Sequence, residues 1–169
     1  MFIRVETPGD TDGVYAVEVA AFQRRAEADL VDELRSNAGV TLSLVAEEDG
    51  MILGHVLFSP VRVVTPDGSR EGQGMGPVAV EPTRQRQGIG SALIRDGLDR
   101  LRRAGHAFVV VEGSPHYYSR FGFQDALLLG LECEFNPPPG CFMVLELQTN
   151  GLDGVRGKVF YRPEFQAVG

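Results

Sequence analysis

Cysteine and lysine are scarce in this chain, and each scarcity excludes a class of site. The two cysteines, Cys133 and Cys141, have no CxxC spacing and no neighbouring histidine, so we expect buried thiols rather than a disulfide or a metal site. The single lysine, Lys158, lies far from the glycine-rich residues 85–90. A Walker loop is therefore excluded, because it needs a lysine directly after its last glycine.

Long apolar runs and an excess of positive charge are also lacking. No run of 18 apolar residues is present, and residues 1–6 are typical of a short strand rather than a basic leader, so we expect a cytoplasmic protein that does not enter a membrane. The formal net charge of −7 argues against a nucleic-acid surface. With 43% hydrophobic residues, the chain can bury an ordinary core without metal or disulfides, and we expect one domain over residues 1–169.

Charge is distributed unevenly along the sequence. Residues 81–103 contain six arginines and three acidic residues, whereas residues 1–58 contain eleven acidic residues and four arginines. The basic segment favours a ligand that carries phosphate groups, with Arg84, Arg86 and Arg120 as the expected counter-charges. The acidic segment is a candidate for attracting an amine substrate, or it is a plain solvated surface.

An apolar strand, a basic turn and an amphipathic helix follow one another at residues 78–103. Five apolar residues predict the helix because their spacing places them on one face: Ile89, Leu93, Ile94, Leu98 and Leu101. The first amide groups of a helix have no intrahelical acceptor and carry part of the helix dipole. Since Gly88 and Gly90 remove side chains at this point, the segment predicts a phosphate cradle.

Two glycine patterns lie close together here, and only one fits its surroundings. The pattern at residues 74–79 leads into a strand and then Pro82, whereas a dinucleotide-binding loop must lead into a helix. The pattern Gln-x-x-Gly-x-Gly, from Gln85 to Gly90, does lead into a helix. In this strand-turn-helix context it resembles the pyrophosphate loop of the GNAT family of acyl-coenzyme A N-acyltransferases.

A second block, at residues 109–123, supports the same family. It is similar to the family's fifth strand followed by a short helix that ends in Tyr-x-x-x-Gly-Phe. Ser114 is expected to cap that helix, and Gly122 to end it. With a closing stretch at residues 157–165, the chain is similar over nearly its whole length to a bacterial branch of N-acetyltransferases.

The resemblance implies a fold and a set of partners. The fold is a single α/β (α+β) domain with a mixed central sheet flanked by helices, in which strands 4 and 5 splay apart and bind the pantetheine arm. The partners are acetyl-CoA as co-substrate and an amine acceptor, without metal, nucleic acid or membrane, and a homodimer through the late strands is compatible with the family. The coenzyme contacts carried over from the family are Val78, Ala79, Val80, Gln85, Arg86, Gln87, Gly88, Ile89, Gly90, Ser91, Tyr117 and Arg120.

The resemblance also suggests catalytic residues for attack of an amine on the thioester. Tyr118, the tyrosine of Tyr-x-x-x-Gly-Phe, is expected to act as general acid for the departing thiolate, or to be a packing residue, and the Val78 amide is expected to polarise the carbonyl. Some family members place a glutamate base on strand four, but the corresponding position here is Gly74. Glu112, His116 and a water chain remain open as the base.

Other readings of the chain also remain open. A coenzyme A-binding module without catalysis would keep the cradle, and a protein-interaction domain would not need it. His55 alternates with apolar neighbours and is expected in the core rather than at a metal. The pattern predicts helices at 11–22, 26–37, 89–104 and after Ser114, and strands at 2–6, 41–47, 51–64, 74–80, 107–111, 127–135 and 141–147. Glu48, Asp49 and Gly50 predict a hairpin turn between the second and third of these strands.

Overall fold

A computed structural model describes residues 1–168. The strands are β1 Phe2–Val5, β2 Leu42–Glu48, β3 Met51–Thr65, β4 Gly68–Val80, β5 Phe108–Glu112, β6 Gln124–Asp125, β7 Leu131–Cys133, β8 Phe142–Glu146 and β9 Gly157–Phe160. The helices are α1 Thr11–Phe22, α2 Ala26–Ser36, α3 Ile89–Arg103 and α4 Pro115–Tyr118. No helix among residues 1–168 is both long enough and apolar enough to cross a membrane.

The strands form a mixed sheet. Its order is β1-β2-β3-β4-β5-β8-β6, and β9 pairs with β3 and β7. The pairs β4–β5 and β7–β9 are parallel, while β1–β2, β2–β3, β3–β9, β5–β8 and β6–β8 are antiparallel. The predicted mixed α/β class is therefore confirmed.

The chain divides into two compact units. Unit 1 contains Met1–Phe58, Gly76–Asp99 and the segment from Pro163 onward, and unit 2 contains Ser59–Met75 and Arg100–Arg162. The expectation of a single domain stays a prediction.

In unit 1, α1 and α2 cover one part of the sheet. Val14 of α1 and Leu30 and Leu34 of α2 pack with Val45 of β2 and Leu57 of β3 in one buried cluster. Burial of each leucine contributes about 1.5–3 kcal/mol. The helices predicted at 11–22 and 26–37 agree with α1 and α2 to within a residue.

The β2–β3 hairpin of unit 1 turns at Asp49 and Gly50. Their φ angles are 51° and 77°, so both lie in the left-handed region that a two-residue hairpin turn requires. Glu48 pairs with Met51 across this turn. The hairpin signal of the sequence is confirmed.

Unit 2 has its own hydrophobic core, formed mainly by residues of its strands. Val61 of β3, Phe108 and Val110 of β5, Val144 of β8 and Val159 of β9 are among its buried residues. In the β4–β5 pair, Gln73 lies opposite Val109 and Gly74 opposite Val110. The expected splaying of these strands stays a prediction.

The strand predicted over residues 127–135 is wrong in its first half. The chain forms a 3-10 turn at Leu127–Leu129 and a strand only at Leu131–Cys133. A carboxylate oxygen of Asp125 accepts the first backbone N–H of this turn, and Gly130, with φ 87°, ends it. The three leucines are 61%, 83% and 40% exposed, so this apolar run does not mark a buried strand.

Besides the two-residue strand β6, two strand segments were not predicted from the sequence. β4 begins at Gly68 rather than residue 74, and β9 was not expected at all. Both segments are rich in glycine and charge, which is atypical of strands. They are strands because neighbours supply hydrogen bonds: β4 pairs with β3, and β9 with β3 and β7.

Candidate active site

The proposed phosphate loop lies in unit 1, between the end of β4 and the start of α3. After a 3-10 turn at Pro82–Arg84, Gln85 is extended, Arg86 has φ 64° and Gly88 has φ 86°. Glycine adopts this left-handed conformation freely, whereas for arginine it costs about 1–3 kcal/mol. The 3-10 turn and the left-handed residues lead the chain into α3, which begins at Ile89 as the sequence predicts.

Hydrogen bonds hold this loop in place. Nε2 of Gln85 donates to the Val80 carbonyl at 3.2 Å. Arg84 donates to Glu48 at 2.8 Å and to the Gln87 side chain at 3.0 Å. The hydrogen bond from Arg84 holds the pKa of Glu48 below its ordinary value. Glu48 thus balances the charge of Arg84 and helps to hold the loop, while the role of Arg84 as a counter-charge to phosphate stays a prediction.

Arg86 is the remaining arginine of the loop. Its side chain is exposed and makes no hydrogen bond or ion pair with any of residues 1–168. The amides of Ile89 and Gly90 belong to the first turn of α3 and so have no acceptor inside the helix. One free guanidinium beside these amides is an arrangement that suits a phosphate group.

The start of α3 is fixed by close packing on β3. A Cβ at Gly54 would lie 2.9 Å from Leu93, 3.1 Å from Ile89 and 3.2 Å from the Ala79 carbonyl oxygen. The helix approaches this closely only because Gly54 has no side chain. Ile89 and Ala79 are buried, while Val78 and Val80 at the end of β4 are half-buried.

The short helix α4 lies in unit 2 and has the ends that the sequence predicts. The Ser114 hydroxyl accepts a hydrogen bond from the Tyr117 amide at 3.4 Å, and the Tyr118 amide donates to the Ser114 carbonyl at 3.0 Å. Gly122, with φ 96°, ends the segment. The predicted cap and stop are both confirmed.

Tyr118, the last residue of α4, packs in an aromatic cluster. Its ring centroid lies 5.0 Å from that of Tyr117, edge to face, and 5.9 Å from that of Phe123. Its hydroxyl has no hydrogen-bond partner among residues 1–168, and burial raises its pKa to about 12. A phenol in this state stays protonated at neutral pH and can donate a hydrogen bond to an incoming anion.

Arg120 stacks on Tyr117. Its guanidinium carbon lies 4.4 Å above the Tyr117 ring, and its Nε donates to the Tyr117 carbonyl at 3.3 Å. Arg120 is exposed, as predicted, and Tyr117 is half-buried. The coenzyme contacts assigned to this pair stay a prediction.

Glu112, a candidate base, lies at the exposed end of β5. One of its carboxylate oxygens accepts a hydrogen bond from the Cys133 thiol at 2.9 Å. Burial, and secondly this hydrogen bond, raises the pKa of Cys133 to about 12. The sequence gives no signal for the pair, because 21 positions separate the two residues. Both cysteines are free, as predicted, but only Cys133 is buried, while Cys141 is partly exposed. His116 is exposed.

Gly74 takes the position at which some family members have a glutamate on strand four. The neighbouring residues of unit 2 leave no room for a glutamate side chain at this position. A Cβ at Gly74 would lie 2.8 Å from the ring of Tyr161 and 2.9 Å from Val61. Burial raises the pKa of Tyr161 well above its ordinary value. The sequence analysis did not identify Tyr161, because no motif indicates that the residue directly after β9 packs against β4.

Several acidic residues of the N-terminal segment form ion pairs with arginines of the same segment. Arg4 binds Asp10 and Glu47, and Arg35 binds Glu6 and Asp32. These ion pairs reduce the local charge, so they weaken the hypothesis that the segment attracts an amine.

His55 is fully buried, as predicted for a core histidine. Its ring nitrogens hydrogen-bond Glu18 at 2.7 Å and Ser43 at 2.8 Å, and burial raises the pKa of Glu18. Among residues 1–168, no group of three or more His, Cys, Asp or Glu side chains is arranged to hold a metal ion.

Comparison with known proteins identifies the family. The profile of the acetyltransferase (GNAT) domain matches residues 3–126. The N-acetyltransferase YhbS of Escherichia coli K12 is 42% identical over 166 residues, which cover 98% of each chain. The crystal structure of YhbS from Escherichia coli in complex with CoA superposes with a TM-score of 0.91 at 40% identity, covering 99% of this chain and 93% of that chain. A GNAT family acetyltransferase from Brucella melitensis in complex with acetyl-CoA has a TM-score of 0.81 at 39% identity, with 97% of each chain covered. Since the family profile covers most of the chain and these relatives match it from end to end, this chain belongs to the GNAT family of N-acetyltransferases.

Proposed function

We propose that this protein transfers the acetyl group of acetyl-CoA to a primary amine of a small molecule or a peptide. The observation that carries the proposal is the loop at residues 85–90, which enters α3 through the left-handed Gly88. This loop occurs in a chain that is similar along its whole length to proteins holding CoA and acetyl-CoA. The coenzyme class therefore has support from both the local geometry and the relatives.

The proposed roles in coenzyme binding follow from the charge and the hydrogen-bonding groups of each residue. The first amides of α3 and the guanidinium of Arg86 bind the pyrophosphate, because both donate hydrogen bonds, the N-terminus of a helix attracts anions, and Arg86 carries a full positive charge. The backbone of Val78 to Val80 pairs with the pantetheine arm. Tyr117 and Arg120 add further coenzyme contacts from α4 and its C-terminal end.

The chemistry requires a neutral amine, a polarised thioester and a proton for the leaving thiolate. Glu112 takes one proton from the ammonium form of the acceptor, and the neutral nitrogen attacks the thioester carbon. The Val78 amide donates to the developing oxyanion. As the nitrogen of the tetrahedral intermediate loses its second proton to solvent, the carbon–sulfur bond breaks and Tyr118 donates a proton to the sulfur, then recovers a proton from solvent. The products are the N-acetyl amine, coenzyme A and one net proton.

Two measurements test this function. The first is the thermal stabilisation of the protein by acetyl-CoA, which at 100 times its dissociation constant adds about 2.7 kcal/mol to the free energy of unfolding. The second is release of free thiol from acetyl-CoA with spermidine, L-lysine, kanamycin, or a peptide that has a free N-terminus and a lysine. Stabilisation and thiol release with one amine are expected. Absence of stabilisation would contradict coenzyme binding, and stabilisation with no release on any acceptor would favour the binding module without catalysis.

A further inference from the structure

We infer that Cys133 is the positioning residue of Glu112: its thiol holds one carboxylate oxygen and leaves the other directed toward the acceptor amine. The inference rests on the proposed function, because it gives a role to Glu112 as the base. Cys133 itself does not touch substrate in this scheme. Its task is to restrict the orientation of a side chain that is otherwise exposed.

The Glu112 side chain accepts a hydrogen bond from Cys133, and its charge adds to the effect of burial in raising the pKa of Tyr161. Cys133 Sγ lies 2.9 Å from Oε1, and no other hydrogen bond or ion pair of this carboxylate is formed with residues 1–168. Glu112 is exposed, whereas Cys133 is only 4% exposed. An exposed carboxylate is thus held by a buried donor, and its second oxygen has no hydrogen-bond partner among the described residues 1–168.

Two separate strand pairs hold the two residues of this contact. Glu112 ends β5 and lies opposite Phe142 of β8. Cys133 ends β7 and lies opposite Val159 of β9. The Cys133 sulfur also accepts the backbone N–H of Phe135 at 3.5 Å. Strand pairing holds the backbones of Glu112 and Cys133 in place. The hydrogen bond from the thiol therefore restricts the orientation of the Glu112 carboxylate.

A thiol suits this task because it keeps its proton. Burial and the carboxylate raise the pKa of Cys133 to about 12, and the negative charge of Glu134 acts in the same direction. Cys133 therefore remains a neutral donor over the whole neutral range and adds no charge beside the base. The proton that leaves the acceptor goes to the free oxygen of Glu112, while the thiol proton stays on sulfur.

The first test measures the contact without any acceptor. Iodoacetamide alkylation at pH 9 is followed by mass spectrometry for Cys133, with the partly exposed Cys141 as the internal reference. If the Glu112 carboxylate holds the thiol protonated, Glu112→Gln should increase the rate at Cys133 several-fold relative to Cys141. An unchanged ratio of the two rates would overturn the inference.

The second test is a double-mutant cycle on turnover, using the amine of the panel that is acetylated fastest. Cys133→Ala should lower kcat about tenfold with the KM for acetyl-CoA unchanged. Cys133→Ser keeps a donor and should recover most of the rate. In a Glu112→Gln background, Cys133→Ala should have no further effect.

The outcomes separate this inference from the proposed function. An equal loss from Cys133→Ala in both backgrounds would show that the residue acts through packing, and would overturn the inference while leaving the activity in place. A fully active Glu112→Gln enzyme would remove Glu112 from the mechanism and the inference with it. Every variant is first checked for thermal stability and for stabilisation by acetyl-CoA, so that a folding defect is recognised as such.

Discussion

The ring of Tyr118 packs directly on Gly113, the residue that follows the end of β5. A Cβ at position 113 would overlap the ring at Cε2 and would lie 3.1 Å from Cδ2. The absence of a side chain at Gly113 therefore sets the position of the phenol relative to the strand that carries Glu112.

Gly113→Ala should displace the Tyr118 ring and lower kcat. A misplacement of about 1 Å costs on the order of 10²-fold in rate. Steady-state kinetics would show this as a fall in kcat with acetyl-CoA stabilisation retained. Gly9→Ala is the control, because a Cβ at Gly9 has no neighbour closer than 4.0 Å. Unchanged kcat in Gly113→Ala would argue against a precise placement of the phenol.

Tyr118→Phe should preserve acetyl-CoA binding and lower turnover. The ring stays in the aromatic cluster, but the proton donor is lost, and general acid catalysis is worth about 10²–10⁴-fold. Because the pKa of Tyr118 is raised to about 12, the loss should be similar from pH 6 to pH 9. Tyr15→Phe, which removes a hydroxyl bonded to Asp29, serves as the control. Full activity of Tyr118→Phe would leave Tyr118 as a packing residue.

Arg86→Ala should weaken acetyl-CoA binding about tenfold or more, since a hydrogen bond to a charged group is worth about 1.5–3 kcal/mol. Calorimetric titration at two salt concentrations should also show a weaker salt dependence. Arg95→Ala, an equal change of charge on the exposed face of α3, is the matched control. If both variants bind alike, Arg86 has no specific contact with the coenzyme.

Gly88→Val should abolish stabilisation by acetyl-CoA. Valine is strained at a φ of 86°, and a side chain at this position, where nothing lies within 4 Å of a Cβ, would extend into open space at the loop. The thermal shift with coenzyme is the measurement. Persistence of the full shift would contradict the cradle.

Acidification should destabilise unit 1 through Asp10. The hydrogen bonds from Arg4 hold the pKa of Asp10 well below its ordinary value. A depressed pKa in the folded state gives stability that is present above the unfolded pKa of about 4 and is lost as pH falls below it. Urea unfolding between pH 2.5 and 7 should show this loss, and Asp10→Asn should reduce it. An identical pH dependence in the variant would contradict the assignment.

Removing His55 alone should cost more free energy of unfolding than replacing His55 and Glu18 together. His55→Ala leaves the buried Glu18 without its partner, and breaking a buried pair typically costs about 3–5 kcal/mol. The double variant Glu18→Met with His55→Leu replaces both groups by apolar ones and should be less destabilised. Chemical denaturation compares the two, and an equal or greater loss in the double variant would contradict this reading.

The sequence predicted most of the elements because their signals are local. The apolar stripe of α3, the Asp49-Gly50 turn and the Ser114 cap each depend on residues within a few positions of one another, and all three occur in the structure. The leucines at 127–129 misled the prediction because an apolar run was taken for a strand, whereas Asp125 and Gly130 form a turn there.

The sequence by itself determined the family, the loop and helix that resemble a phosphate cradle, and the tyrosine of the second block. Only the tertiary structure decided that Arg84 is held by Glu48, that Tyr161 fills the space above Gly74, and that Cys133 holds Glu112. These contacts join residues far apart in the chain, and their geometry depends on strand register. Helix periodicity and turn chemistry repeat over a few residues and can be read directly, whereas such pairings exist only once the sheet has formed.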